Sequence, residues 1–348
     1  MKVAMAGWTE AALALVTGGA GAFIFWLVGF PMPFLTGPAV AVTLAAVLGL
    51  QVSIPAALRN VCFLVLGLNI GGSVTPEVLA TAAHWPGSLA VLCLMLPAGM
   101  ALGSLLLNKG FGFNHSAALL ASTPGHLSFV LSMSLERSLP IEPIAVVQSV
   151  RVLLLTIFLP IPLVLFTDVS DMVLPMRVTI GWGHFAVILG LAALVGMAFL
   201  RLKVPAALLL AGMLVSAIGH ASDLTPGFQH AALTTAAFIV MGSMIGTRFS
   251  GIALGDLKRS LLAGVCLTLL VTMLALLCAV AMALAGGYDL SLLFLSYAPG
   301  GVEAMAAMAV QLHLAPAVVA AHHVLRLLVL TVLVPLMLAR ATARDAAA

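Results

Sequence analysis

Ser122-Thr123-Pro124-Gly125-His126 interrupts an apolar segment, and this interruption decides how the rest of the chain can fold. Proline removes a backbone hydrogen-bond donor and glycine weakens a helix, so the pair predicts a helix that is broken in its middle. A second break, Tyr297-Ala298-Pro299-Gly300-Gly301, follows 175 residues later. At membrane depth, broken helices occur where protein or a water-filled cavity lines them. The two breaks therefore mark the candidate site.

The spacing of 175 residues recurs along the chain and indicates an internal duplication. Identical residue types meet at this offset without a shift, in the pairs Gly67 and Gly242, Gly71 and Gly246, Arg151 and Arg326, and Pro160 and Pro335. We predict repeat one at 8–170, with a broken segment at 115–136. Repeat two is predicted at 180–342, with a broken segment at 290–311.

The composition indicates a chain that is solvated by lipid. Of its 348 residues 63% are apolar and 7% are Asp, Glu, Lys or Arg, and the mean hydropathy is +1.24. So few charges cannot cover a water-exposed surface, which predicts an all-α polytopic membrane protein in contact with the lipid bilayer. The net charge of +3 is small and no run of Lys and Arg occurs, so we expect no nucleic-acid partner.

Each repeat contains six candidate spans, since a membrane-spanning helix needs about 20 apolar residues. They are 10–30, 31–50, 55–73, 86–107, 115–136 and 142–167, then 180–200, 203–220, 228–247, 260–284, 290–311 and 315–339. Lys and Arg of short loops stay on the cytoplasmic side. If both broken segments turn back as re-entrant hairpins, only Arg177 falls outside, whereas a twelve-span arrangement places five basic residues of repeat two there. We predict ten spans plus two hairpins, with cytoplasmic termini.

Five crossings per repeat is an odd number, so the second repeat is predicted to be inverted relative to the first. The same inversion results if the broken segment crosses and a short one, such as 31–50, does not. Inverted repeats whose broken helices meet near the bilayer midplane are typical of secondary transporters. A hairpin arm such as 115–123 covers about half of a hydrocarbon core roughly 30 Å thick, so each tip would reach mid-membrane.

Arg151 and Arg326 lie near the middle of the last span of each repeat, where a guanidinium is costly and faces a cavity or a partner. In a structural interpretation, each arginine caps the carbonyls of a broken hairpin or pairs with a carboxylate such as Glu303. In a functional one, at least one binds an anionic substrate, because arginine matches a carboxylate with two parallel bonds. The two roles can coexist, and we predict both residues as substrate ligands.

Both tips also carry candidate ligands, because helix ends at a break present backbone N–H groups that favour negative charge. The predicted substrate-binding residues are Ser122, Thr123, Pro124, Gly125 and His126 at the first tip, and Tyr297, Pro299, Gly300 and Gly301 at the second. Glu303 is the only acidic residue of 290–311, so it is predicted to carry H⁺ or to help hold Na⁺ unless it pairs with an arginine. Gly301 and Glu303 replace His126 and Ser128 of repeat one, which predicts different roles for the tips.

Four further polar residues complete the predicted site. Asn69 and Ser243 lie on glycine-rich faces of the third spans, where close helix packing is the plainer explanation of the glycines. Gln148 and His323 share helical faces with the two arginines and are predicted, with Glu303, to take part in ion coupling. Neighbouring histidines on a helix point in different directions, so we predict no metal site at His322 and His323.

Four stretches resemble the AbrB family of duplicated bacterial inner-membrane proteins. They are Ala-Ser-Thr-Pro-Gly at 121–125, Ala-Val-Val-Gln-Ser-Val-Arg at 145–151, Ala-Pro-Gly-Gly-Val-Glu-Ala-Met at 298–305 and His-His-Val-Leu-Arg at 322–326. The resemblance covers nearly the whole chain and implies a location in the bacterial inner (cytoplasmic) membrane. The family is similar to cation:proton antiporter and anion transporter folds, which implies an elevator-type carrier. A homodimer is the default for such carriers.

The favoured function is secondary active transport of a small anionic metabolite, coupled to H⁺ or Na⁺ and without another cofactor. Members of the family are labelled as transcriptional regulators, so the alternative is a membrane sensory or regulatory protein that influences gene expression through a partner. The sequence ends within ten residues of the last span, which leaves no soluble output domain. A membrane monooxygenase is least favoured, because the nine histidines are dispersed. We therefore expect a protein that is not an enzyme.

Overall fold

The computed structural model describes residues 2–73, 85–125, 127–166, 179–222, 224–225, 227–252 and 254–347. The helices of its first half are α1 Lys2–Leu27, α2 Pro33–Val47, α3 Ala56–Gly71, α4 Trp85–Phe111, α5 His115–Ser122, α6 Leu127–Glu136, α7 Ile141–Phe158 and α8 Pro160–Phe166. Those of the second half are α9 Trp182–Arg201, α10 Ala207–Ala221, α11 Ala231–Thr247, α12 Leu254–Gly286, α13 Leu290–Tyr297, α14 Val302–Gln311 and α15 Pro316–Ala347. The prediction of an all-α membrane protein is confirmed.

Within the described residues, six helical stretches are long and apolar enough to cross a membrane. Other predicted spans are shorter than expected: α2, α3, α10 and α11 have 15 to 17 residues. Turns cause the difference at α2, because Met32 precedes the helix in the left-handed conformation and Gly49, with φ +96°, follows it. The predicted span at 31–50 therefore loses residues at both ends.

Both broken segments have the same internal geometry. The helices α5 and α13 have eight residues each, α6 and α14 have ten each, and their first residues are 175 positions apart. At equivalent positions, the side chains of Asn114 and Asp289 accept a hydrogen bond from the first turn of the helix that follows. After the second arms, Ser138 and His313 both have φ +53°. The predicted breaks at Pro124 and Pro299 are thus observed.

The first broken segment is a re-entrant hairpin. Ser116, near the start of α5, lies 3.4 Å from the hydroxyl of Thr342, and Arg137, just after α6, donates to the same hydroxyl over 3.2 Å. A straight helix of this length would separate its ends by about 30 Å at 1.5 Å per residue. The chain must therefore turn back at Pro124, as predicted.

Residues on either side of the second broken segment also meet at one place, the first turn of α4. Tyr288, before the segment, lies against Gly87. His322, less than two turns into α15, lies 2.8 Å from the Ser88 hydroxyl through its Nε2. This arrangement fits a second re-entrant hairpin.

The chain divides into two compact units, and each unit draws on both halves of the sequence. The first unit comprises Met1–Ala83, Thr156–Gly251 and Ala306–Ala320. The second comprises His84–Leu155, Ile252–Met305 and Ala321–Ala348. The first three helices of each half therefore belong to the first unit, and both hairpin tips and both buried arginines belong to the second.

Glycines allow helix backbones of the first unit to touch. A Cβ atom on Gly67 would collide with the carbonyl of Leu209 on α10, and one on Gly242 would collide with the carbonyl of Leu35 on α2. Gly71 meets α10 in the same way, at Met213. The close-packing interpretation of the glycine-rich third helices is confirmed.

The third helices of the two halves run in opposite directions. The Cys62 thiol of α3 donates to the carbonyl of Ala237 on α11 over 3.1 Å. Further along α3, the Asn69 amide donates to the hydroxyl of Thr234, which comes earlier on α11, over 3.0 Å. Position rises along one helix while it falls along the other, so equivalent helices are antiparallel. This is the relation expected of inverted repeats, whose exact bounds stay a prediction.

Candidate functional site

The tips of the two hairpins meet inside the second unit. At the first tip the chain leaves α5 at Ser122, becomes extended at Thr123 and turns at Gly125, whose φ is +83°. A Cβ atom on Gly125 would lie 3.2 Å from the carbonyl oxygen of Gly300 at the second tip. These two glycines are equivalent positions in the predicted repeats. Only residues without side chains let both turns approach this closely.

Arg326 of α15 binds the open end of α13 with hydrogen bonds from both terminal nitrogens. Its Nη1 donates to the carbonyls of Ala298 over 2.8 Å and Gly300 over 3.4 Å. Its Nη2 donates to those of Ser296 over 3.0 Å and Tyr297 over 3.2 Å. The last carbonyls of a helix lack internal partners and carry partial negative charge. The guanidinium satisfies both requirements at the second tip.

Arg151 of α7 has the equivalent place at the first tip. Its Nη2 donates to the carbonyl of Thr123 over 3.0 Å, and Thr123 corresponds to Ala298. Both arginines are 1% exposed. The interpretation that each arginine caps a broken hairpin is therefore confirmed. In the described part of the chain, no ion pair joins Arg326 to Glu303, which is half-buried in the first turn of α14.

Gln148 and His323 form a second pair of equivalent contacts, three residues before the arginines. Gln148 donates from Nε2 to the carbonyl of Leu120 over 2.9 Å. Nε2 of His323 lies 3.2 Å from the carbonyl of Leu295. Each repeat thus fixes its first hairpin arm with two side chains from its last long helix. The sequence indicated their shared faces but not these partners.

Tyr297 and His322 extend the second tip to α4. The Tyr297 hydroxyl donates to the carbonyl of Ser88 over 2.9 Å, and the Ser88 hydroxyl contacts His322 Nε2. All three residues are at most 2% exposed. Sequence reasoning placed Tyr297 in the site but missed Ser88, because nothing in the pattern of α4 indicates which residue faces the tip.

A cavity of about 20 Å³ lies against both tips, which is room for about one water molecule. Ser122 is the polar residue of its lining, and the rest is apolar: Met95, Leu96, Gly99, Met100, Pro124, Val271, Leu274 and Pro299. The hydroxyls of Ser122 and Thr123 donate to carbonyls one turn earlier in α5. In this conformation the tips are therefore closed on each other.

Three predicted residues lie elsewhere or outside the description. His126 lies outside the described residues. Asn69 binds Thr234, and the Ser243 hydroxyl lies 3.5 Å from the carbonyl of Ala14, so both form contacts within the first unit. Their role as ligands stays a prediction.

The base of the first hairpin is held by a residue that sequence reasoning missed. Asp345, near the end of α15, accepts hydrogen bonds from the backbone N–H of His115 over 2.7 Å and of Ser116 over 2.9 Å, and from the Ser116 hydroxyl. A carboxylate at a helix N-terminus satisfies free N–H groups and offsets the helix dipole. The described residues include no group of three or more His, Cys, Asp or Glu side chains that could hold a metal ion.

Comparison with known proteins agrees with this architecture. The profile of the AbrB family, described as "Transition state regulatory protein AbrB", matches residues 34–342. The chain belongs to the AbrB family. A relative in Escherichia coli (strain K12), named "Putative regulator AbrB", is 26% identical over 317 residues, which cover 87% of this chain and 88% of the relative. No solved structure gives a significant match to this AbrB-family chain.

Proposed function

We propose that this AbrB-family protein is a secondary active transporter of a small anionic metabolite. The observation that carries the proposal is the junction of two broken hairpins, each capped by a buried arginine, within one compact unit. Helices broken at membrane depth are costly and are characteristic of transporter sites. We place the protein in the bacterial inner membrane, with cytoplasmic termini, as a homodimer.

The division into two units supports an elevator-like mechanism. The unit that contains the tips takes the hairpins and capping arginines from both repeats, and the other takes the first three helices of both. In the proposed cycle the unit with the tips moves as a body and exposes its site to each side in turn. Glycine-rich close packing in the other unit suits a rigid support.

The charge of the junction favours an anionic substrate. The guanidinium groups of Arg151 and Arg326 are close enough to repel each other. A bound anion would offset that repulsion, because like charges in a low-dielectric site are costly. In the proposed cycle Glu303, at the start of α14, couples transport to H⁺ or Na⁺. Glu303→Gln should therefore leave substrate binding and abolish dependence on the ion gradient.

A thermal-shift screen of purified protein tests the proposal. The solutes are organic acids, amino acids and ammonium, each with and without Na⁺ and across pH. A ligand that binds only the folded state at 100 times its Kd stabilises it by about 2.7 kcal/mol, so a substrate should raise the melting temperature. Arg151→Ala and Arg326→Ala should abolish transport of that substrate in proteoliposomes. Unchanged transport in both variants would refute the proposed site.

Because these arginines also cap carbonyls, their variants need a folding control. Arg326→Lys keeps the positive charge but loses the planar fork. A monodisperse Arg326→Lys protein that no longer binds the substrate would locate recognition in the guanidinium. A monodisperse variant with unchanged affinity would contradict that assignment.

A regulatory function is the second candidate, because the relative in Escherichia coli is named a regulator. On this reading the junction binds a signal molecule and a separate partner transmits the response. A ligand that binds but never crosses the membrane in proteoliposomes would favour regulation over transport.

A further inference from the structure

Two buried nitrogen atoms on one face of α15 lack a hydrogen-bond partner among the residues that the structure describes: Nε of Arg326 and Nδ1 of His323. Both side chains are 1% exposed. Residues three apart on a helix share a face, so the two atoms belong to one surface beside the second hairpin. An unpaired buried polar group costs about 1–3 kcal/mol, which makes the pair a candidate for binding a ligand.

The two atoms have opposite hydrogen-bonding character. Arginine Nε always carries hydrogen and can only donate. On His323, Nε2 faces the carbonyl oxygen of Leu295, which can only accept, so Nε2 carries the ring hydrogen. Nδ1 of the neutral ring is therefore a lone pair. One donor and one acceptor face the same space.

A carboxylate fits this pair only when the ring gains a proton. A carboxylate is an acceptor, so it accepts from Arg326 Nε–H but is repelled by the lone pair on His323 Nδ1. A proton taken from water converts Nδ1 into a second donor, and the same carboxylate then accepts from both groups. Release of the anion returns the proton to water, and no covalent bond of the substrate changes.

The surrounding charges link the proton to the anion. The titratable groups around His323 are His322 and Arg326 on its own helix, Arg151 on α7, Tyr297 on α13 and Glu303 on α14, and α4 contributes the hydroxyl of Ser88. Without an anion, a further positive charge beside two guanidinium groups in a low-dielectric interior is strongly disfavoured. With a carboxylate present, the added charge is neutralised. Proton and anion therefore bind together.

We propose that Arg326 Nε and His323 Nδ1 form a clamp for the carboxylate group of a monocarboxylate, and that binding takes up one proton on His323. This inference rests on the proposed transport function and selects H⁺ as the co-transported ion. Both atoms are shielded in the closed tips, so the clamp becomes accessible when the tips part. The apolar lining of the neighbouring cavity suits a substrate with one charged end.

Calorimetry with acetate as the probe tests the clamp. Titration of the full-length protein in buffers of different ionisation enthalpy counts the protons that are taken up per anion bound. The wild type should take up about one proton, because a neutral imidazole accepts one. The first repeat supplies the test variant, since Gln148 binds Leu120 as His323 binds Leu295. His323→Gln keeps that hydrogen bond and removes the titratable nitrogen.

In His323→Gln, acetate should bind about 10-fold more weakly, a change of about 1.4 kcal/mol, with no proton uptake and no tightening toward acidic pH. His184→Gln, a histidine of the first unit, is the matched control and should bind acetate with the same proton uptake as the wild type. Binding without proton uptake in the wild type, equal uptake in His323→Gln, or no binding of acetate overturns the inference. Flux of another screened anion would then leave the transport proposal standing, whereas absence of any flux refutes that proposal separately.

Discussion

Replacing Gly125 by alanine should destabilise the protein by forcing the hairpin tips apart. Gly125 has φ +83°, where an L-residue costs about 1–2 kcal/mol. Its new Cβ would lie 3.2 Å from the carbonyl oxygen of Gly300, closer than ordinary contact, so one tip must shift by a few tenths of an ångström. That carbonyl also accepts a hydrogen bond from Arg326, so a shift strains the cap as well. The expected loss is about 2–3 kcal/mol.

Gly300→Ala is the matched control at the equivalent position. Gly300 does not have a positive φ, and its Cβ would meet the flexible end of the Met305 side chain rather than backbone. Methionine adapts easily to a changed neighbour, so this variant should cost about 1 kcal/mol or less.

Unfolding in mixed micelles of SDS and a mild detergent measures both free energies. Gly125→Ala should be less stable than Gly300→Ala by about 1–2 kcal/mol, the cost of the left-handed backbone. Equal losses in the two variants, or no loss in Gly125→Ala, would refute the contact between the tips.

Two further predictions concern the supports of the site. Asp345→Ala should cost about 1–2 kcal/mol in the same assay, because Ser116 and the first turn of α5 lose their cap; stability equal to wild type would show that the cap contributes nothing. Gly67→Ala should destabilise the first unit, because its Cβ meets the carbonyl of Leu209, whereas Gly19→Ala should not, because nothing lies within 4 Å of its Cβ. A melting temperature that falls equally in both glycine variants would contradict the packing of α3 on α10.

Much of the fold follows from local chemistry that the sequence displays. Pro124 and Pro299 break helices wherever they occur, so the broken segments could be located to within a residue or two. The charge pattern of the loops then favoured hairpins over crossings, and the contacts of Thr342 agree. The lengths of α2, α3, α10 and α11 could not be predicted, because backbone turns end these helices while the sequence remains apolar.

The site was less predictable, because its contacts join distant parts of the chain. The cost of burying Arg151 and Arg326 identified them, but the choice between a carboxylate and carbonyl partners depends on where the hairpins end. Ser88 and Asp345 had no periodicity or motif to single them out. They reach the hairpins only through the packing of α4 and α15.

Solute counterflow in proteoliposomes tests the proposed transport most directly. Vesicles are loaded with an unlabelled anion from the thermal-shift screen, and a trace of the labelled anion is added outside. A carrier that alternates between two sides exchanges one for the other, so the label should accumulate transiently with wild-type protein. Arg326→Lys of equal stability should show no accumulation. No counterflow of any anion that binds the wild-type protein would contradict alternating access and favour a protein that senses its ligand.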